Sequence, residues 1–226
     1  MMKLFALIGE MLFPPKCVLC GAVLERSELD LCRNCRVEAP LFPKPRGKRT
    51  FLDGWTALWY YSGYVRRSLL RYKFHNVRSH ADAYGRLLAM KIREDLEEEF
   101  DILTWIPISP LRRLRRGYDQ VELLACAVGT QLEMEPVRLL KKVRHNRPQS
   151  RIRGEAQRRA NVLGAYRVTD SALIADKRVL LLDDIITTGA TASEAARVLL
   201  TAGAKEVYFA AVAAADHNNT NKKTSR

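Results

Sequence analysis

Thirteen consecutive residues, Val179-Leu180-Leu181-Leu182-Asp183-Asp184-Ile185-Ile186-Thr187-Thr188-Gly189-Ala190-Thr191, leave few folds open to this chain. The run Val179 to Leu182 reads as a strand buried on both faces. The acids follow at its carboxyl end, where open α/β sheets bind their ligands. Adjacent carboxylates there can accept from the vicinal hydroxyls of a ribose or hold a divalent cation. Thr187, Thr188, Gly189 and Thr191 then offer hydroxyls, backbone N–H groups and a close-approach glycine at a helix start, which together make a phosphate cradle. Singly, Asp and Thr are ordinary turn and N-cap residues. Capping alone does not supply strand, paired acids, Thr/Gly loop and helix in one run. A Walker loop is excluded because no Gly-x4-Gly-Lys-[Ser/Thr] occurs, and a dinucleotide fold is disfavoured because no Gly-x-Gly-x2-Gly follows a strand.

Around this motif, strand-like and helix-like stretches alternate. Trp55–Tyr61, Ile102–Ile108, Arg178–Leu182 and Val207–Ala215 carry the apolar, β-rich pattern; Val65–Phe74, His80–Leu96, Tyr118–Leu132 and Ala192–Ala202 carry helical spacing. The alternation predicts an α/β fold, a parallel sheet with flanking helices. At 226 residues, 47% hydrophobic and 28% charged, the chain holds one medium domain and a small extra module. That module occupies residues 1 to 45. It begins with a helix over residues 2 to 13, whose apolar face (Leu4, Phe5, Ile8, Met11, Leu12) docks on its own protein or, as a sharper alternative, on a membrane surface. The Pro-rich basic segment 40 to 50 reads as a linker, residues 51 to 215 as the α/β domain, and residues 216 to 226 as a frayed polar tail.

Four of the five cysteines fall as Cys17-x2-Cys20, eleven residues, Cys32-x2-Cys35. Two such pairs complete the tetrahedron of a closed structural zinc site, with Gly21 suited to the tight turn; a redox pair would explain only one of them. With no coordination position left open, the zinc holds structure and does no hydrolysis. Cys126, flanked by alanines on a predicted helix, reads as a small core residue. The opening MMKLFALIGEMLFPP carries Glu10 within its apolar stretch and lacks a small-residue cleavage site, and no run reaches the ~18 apolar residues of a membrane span. The expected address is cytoplasmic.

The motif at 179–191 resembles the signature of the type I phosphoribosyltransferases. The rest of the chain narrows the likeness to the ComF family, associated with bacterial competence and DNA uptake, in which a cysteine-rich zinc module precedes such a core. The residues that carry it are Leu12-Phe13-Pro14-Pro15 with the four cysteines, Tyr72-Lys73-Phe74, Ile106-Pro107-Ile108-Ser109, Arg116-Gly117-Tyr118-Asp119-Gln120, Arg147-Pro148-Gln149 and Asn161. Two departures stand out: the further cysteines of many relatives are absent, and the family's Phe-Asn-Gln is Tyr118-Asp119-Gln120. The resemblance implies that Asp183 and Asp184 bind the ribose of phosphoribosyl pyrophosphate (PRPP) or a related phosphoribosyl ligand. Ile185, Thr187, Thr188, Gly189, Ala190 and Thr191 would take its 5-phosphate, with Mg2+ on the pyrophosphate. It also implies partners in the competence machinery, whereas single-stranded DNA as a ligand rests on the basic surface.

The net charge of +13 favours polyanions or phosphorylated small molecules. Arg112, Arg113, Arg115 and Arg116 follow the Ile106–Ser109 strand and emerge on the sheet edge of the acids, where with Ser109 they could clamp pyrophosphate. Between Arg138 and Arg159 nine basic residues stand against one acid, Glu155. By position this segment resembles the mobile loop that covers the substrate in phosphoribosyltransferases. The same residues could instead track a single-stranded backbone, with Tyr118 or Tyr166 as a stacking face, or form a solvated charged loop. Lys73 reaches the pyrophosphate or merely complements its helix dipole. His75, His80, His145 and His217 share no ligand spacing and read as bystanders.

Overall fold

A computed structural model of the chain describes residues 14–45, 47, 49–75, 77–144 and 155–215. The helix expected over residues 2 to 13, His145, Arg147, Arg151, Arg153 and the tail with His217 lie outside them. A four-stranded, fully parallel sheet forms the centre, in the order β1 (Gly54–Tyr60), β6 (Glu206–Ala214), β5 (Arg178–Ile186), β2 (Ile102–Trp105). The helices are α1 (Arg33–Glu38), α2 (Gly63–Phe74), α3 (His80–Asp95), α4 (Pro110–Arg116), α5 (Gln120–Leu132), α6 (Glu155–Val162) and α7 (Ala190–Thr201). A short antiparallel hairpin, β3 (Leu140–Lys142) and β4 (Tyr166–Val168), stands apart from the main sheet.

Along β5 the side chains alternate between two cores. Leu180 and Leu182 pack with α2, α3 and α5, whereas Val179 and Leu181 pack with α7 and the hairpin. Helices therefore cover both faces, as near-continuous apolar strands require. β5 extends past the expected Leu182 end, because β-branched Ile185 and Ile186 continue the register opposite Ala213 and Ala214. β2 stops at Trp105, short of the expected Ile108, since Pro107 has no N–H to give a ladder. No described helix is long and apolar enough to cross a membrane.

The cysteine segment joins the first core. Val18, Leu19, Leu24 and Leu31 share a cluster with Trp59, Leu69 and Tyr84. Arg86 on α3 grips Asp30 through Nε (3.0 Å) and Nη2 (2.5 Å). Residues 40–42, expected within a linker, lie along β1: the Tyr60 N–H donates to Pro40 O (2.7 Å) and the Phe42 N–H to Leu58 O (3.0 Å). Cys126, expected in the core, is exposed, because Leu124, Ala125 and Val128 form the buried face of α5.

Candidate phosphoribosyl site and zinc centre

The four cysteine sulfurs lie within 4.8 Å of one another, with Cys20 and Cys32 Sγ 3.7 Å apart. That is far from a disulfide and close to the ~3.8 Å edge of a tetrahedron with zinc–sulfur bonds of about 2.3 Å. The first pair sits in a tight turn, with Gly21 at φ 83° and its N–H on Cys17 O (2.9 Å); the second pair opens α1, with Cys32 at its N-cap. The donor set fits a structural zinc.

At the carboxyl end of β5 the two acids part company. Because strand side chains alternate, Asp184 turns toward the α2/α5 face and Asp183 toward the hairpin. The expectation that both stand beyond the strand end, side by side, is corrected by the longer β5. Asp184 is 5% exposed and accepts from Lys73 Nζ at 2.9 Å and Gln120 Nε2 at 2.9 Å. Burial works to raise its pKa, but the Lys73 charge and these hydrogen bonds outweigh burial and hold it below the ordinary carboxylate value. Asp183 is the more accessible acid. Burial, and then the Asp184 charge beside it, push its pKa well above the usual range, against the opposing pull of Lys73 and Lys142.

Lys73 therefore holds Asp184 and is no mere complement to the dipole of α2. Gln120, absent from the sequence-level site, is the hinge of the arrangement: its Oε1 accepts from Arg116 Nη1 (2.7 Å) while its amide reaches Asp184, and its carbonyl accepts from Tyr72 Oη (2.5 Å). Asp119 caps α5 through the Val121 (3.0 Å) and Glu122 (3.4 Å) N–H groups and also takes the Ile108 N–H (3.0 Å). A carboxylate at this position thus fills an acceptor role, tying the loop after β2 to the helix that carries Gln120.

The arginines divide. Arg116 stands over the Phe74 ring (4.8 Å to the centroid) beside Gln120, and Arg112 is half-buried, its pKa lowered by burial and by Arg116. Arg113 instead reaches Glu122 (3.3 Å). Ser109 is buried at the N-cap of α4. Tyr118 and Tyr166, expected as stacking faces, are buried: Tyr118 donates to Tyr72 O, and Tyr166 Oη accepts from Lys142 Nζ (3.1 Å). The described ends of the segment 138–159 are strand β3 and helix α6 rather than loop. Lys142, counted there as one more cation, faces Tyr166, and burial followed by Arg112 pushes its pKa down to about 8.

The loop after β5 turns at Gly189, whose φ of 82° favours glycine, and α7 begins at Ala190. Thr188 Oγ1 accepts from the Ala190 N–H (3.4 Å), and the first turn of α7 leaves amides that suit an anion. Thr187 and Thr191 are half-buried beside it, and Ile185 remains a half-buried strand residue. Arg49, read from sequence as linker, stacks on Trp55 (4.0 Å) and donates to Thr188 O (3.4 Å). Nothing in its Pro-rich neighbourhood signalled that contact.

A phosphoribosyl transferase domain matches residues 124–225, and a double zinc ribbon domain matches residues 8–49. Competence protein ComFC of Streptococcus pneumoniae is 30% identical over 196 residues, 84% of each chain. Competence protein F of Haemophilus influenzae is 26% identical over 199 residues, 85% of this chain and 82% of that one. Among solved structures, a glutamine phosphoribosylpyrophosphate amidotransferase from B. subtilis overlaps 62% of this chain at 20% identity and a TM-score of 0.41; the chain spans only 30% of its length. With a zinc ribbon, a phosphoribosyltransferase-type α/β core and this likeness along most of its length, the chain belongs to the ComF family.

Proposed function

We propose that the chain binds PRPP or a related ribose 5-phosphate ligand at the end of β5, and that it serves bacterial competence and DNA uptake from the cytoplasm. One observation carries the reading: β5 delivers an accessible acid and a cation-held acid immediately before a Gly-turned loop at a helix N-terminus. On this reading the ribose hydroxyls donate to Asp183 and Asp184, and the 5-phosphate lies on the amides and hydroxyls of residues 187–191. Arg112, Arg116 and Lys142 supply positive charge for the pyrophosphate. The hard oxygens of Asp183 suit Mg2+, which would neutralise the pyrophosphate as it leaves C1.

Two uses of such a site differ in turnover. A transferase displaces pyrophosphate from C1 by an acceptor nucleophile, whereas an adaptor binds and releases PRPP unchanged. Calorimetric titration of PRPP with Mg2+, then pyrophosphate release with a panel of bases, separates them. Asp183→Asn/Asp184→Asn removes two charges and turns acceptors into donors, and should weaken PRPP at least tenfold, since each charge-assisted bond is worth roughly 1.5–3 kcal/mol. Unchanged affinity would reduce the motif to a capping coincidence.

A second reading, single-stranded DNA binding, is favoured by the exposed Arg113 and Arg115 of α4 and by Phe74, a residue 61% exposed with Arg116 over its ring. Phe74 takes the stacking role that the buried Tyr118 and Tyr166 cannot. We also propose that residues 1–45 and 51–215 act as module and domain, joined through the shared core rather than by a free tether.

A further inference from the structure

Beside the phosphate loop a cavity of about 430 Å3 opens between α6, the first turns of α7 and the turn at residues 49–52. Its size suits a small organic ligand, for which pockets of about 300–1,000 Å3 are usual. It shares Thr188 and Ala190 with the loop, but Asp183, Asp184, Lys73 and Gln120 are not among its described lining residues.

The lining specifies charge. Arg49, Arg159 and Arg197 line it together with a single carboxylate, Glu194. That carboxylate is engaged by Arg197 Nε and Nη2 (2.8 Å each) and by the Gly164 N–H (2.8 Å). Three guanidinium groups in one lining match the paired oxygens of a phosphate or carboxylate.

Phe51 specifies shape. The Leu52 N–H donates to Arg49 O (2.9 Å), closing a turn whose third residue is Phe51 at φ 65°. Glycine or asparagine ordinarily takes that position, and a bulky residue there is a conformational outlier. The ring is nonetheless 44% exposed and lines the cavity. It adds little to the core, and an aromatic ligand ring would give it a use. Ser193, also in the lining, offers a hydroxyl to a hydroxylated spacer.

We propose that this cavity is a second ligand site, for a nucleotide-sized aromatic anion whose ring lies on Phe51 and whose phosphate is taken by Arg159 and Arg197. Arg49 links it to the loop: its guanidinium lies on Trp55 and Thr188 O, and a Cβ at Gly189 would come within 2.7 Å of its Nη1. An occupant drawing on Arg49 therefore alters the wall of the phosphate loop. The occupant is an effector and not the acceptor, because an acceptor must reach C1 while the loop grips the C5 end. This last assignment alone rests on the phosphoribosyl reading.

AMP titrated into the full zinc-loaded chain, followed by calorimetry and tryptophan fluorescence, tests the site. Saturable binding should persist in Asp183→Asn/Asp184→Asn and weaken at least tenfold in both Phe51→Gly and Arg159→Gln. Phe51→Gly relieves the turn, so its melting temperature should hold or rise and the loss of AMP cannot be blamed on unfolding. Absence of AMP saturation overturns the proposal. So does AMP binding that vanishes in the acid double variant while surviving Phe51→Gly, which places AMP on β5. A parallel PRPP titration keeps the two ideas apart: failure of PRPP with AMP binding intact removes the phosphoribosyl reading and leaves the cavity standing.

Discussion

Replacing Lys73 by Met should cost the ligand-free protein about 3 kcal/mol at pH 7. The variant keeps the methylene stem and removes the ammonium that sits 2.9 Å from Asp184. Breaking a buried pair by deleting one partner costs about 3–5 kcal/mol, because the surviving charge is stranded. The lower end applies here, since the Lys73 side chain retains 17% exposure and Gln120 still donates to the carboxylate. For a chain of this size, 1 kcal/mol moves the melting temperature by about 2–4 °C, so the expected drop is about 6–12 °C.

The pH dependence fixes the cause. In the wild type the Asp184 pKa is depressed, so its contribution is present above the unfolded value of about 3.9 and fades as pH falls through the lower folded value. In Lys73→Met the balance passes to burial and the neighbouring Asp183, and the folded pKa rises. The variant's deficit should then be widest at neutral pH and narrow as acid protonates Asp184. Lys73→Met/Asp184→Asn removes both charges and should recover most of the loss. Thermal melts of the four proteins of this cycle, at matched pH and zinc loading, are the assay. A Lys73→Met melt within 2 °C of wild type, flat with pH, would refute the ion-pair account of Asp184.

Asp183→Asn should raise the ligand-free melting temperature at pH 7, since a group with a raised folded pKa gives stability below its unfolded pKa that is lost as pH climbs through the folded value; a fall would contradict that raised pKa. Chelation should remove one zinc per chain and increase hydrogen exchange in α2 and α3 as well as in residues 14–45, because Val18 and Leu19 belong to their core. Protection of α2 and α3 unchanged by chelation would show the ribbon to be energetically separate. Arg113→Ala/Arg115→Ala should flatten the salt dependence of single-stranded DNA binding by about one to two phosphate contacts, leaving PRPP binding intact. An unchanged slope moves DNA away from α4.

The parallel sheet and the zinc ligands were legible because their signals are local. An unbroken apolar run marks a doubly covered strand, and Cys-x2-Cys repeats mark a tetrahedral donor set. The loop at 187–191 was legible for the same reason. What sequence missed are contacts made across the fold: Gln120 on Asp184 joins residues 64 apart in sequence, and Arg49 on Thr188 joins residues 139 apart. Lys142 was hidden by its neighbours, since a cation among nine invites the reading of a solvated loop. The alternation that sends Asp183 and Asp184 to opposite faces depended on where β5 ends, and strand ends are the part of a pattern that periodicity locates least well.

One helix ties the metal centre to the ligand end of the sheet. On α2, Ser68 Oγ donates to Val18 O and Arg71 Nη2 donates to Leu19 O (2.8 Å), so its middle turns clasp the first zinc knuckle. One turn on, Tyr72 Oη donates to Gln120 O and Lys73 Nζ meets Asp184. Val18 and Leu19 are buried in the first core, and a zinc on the four cysteines would brace the same turn and its two carbonyls. Zinc is therefore structural in a wider sense than holding residues 14–45 together. The helix that carries Lys73 to the buried acid is thus held at its middle by two carbonyls of the cysteine turn, so chelation is expected to loosen the Lys73–Asp184 pair as well.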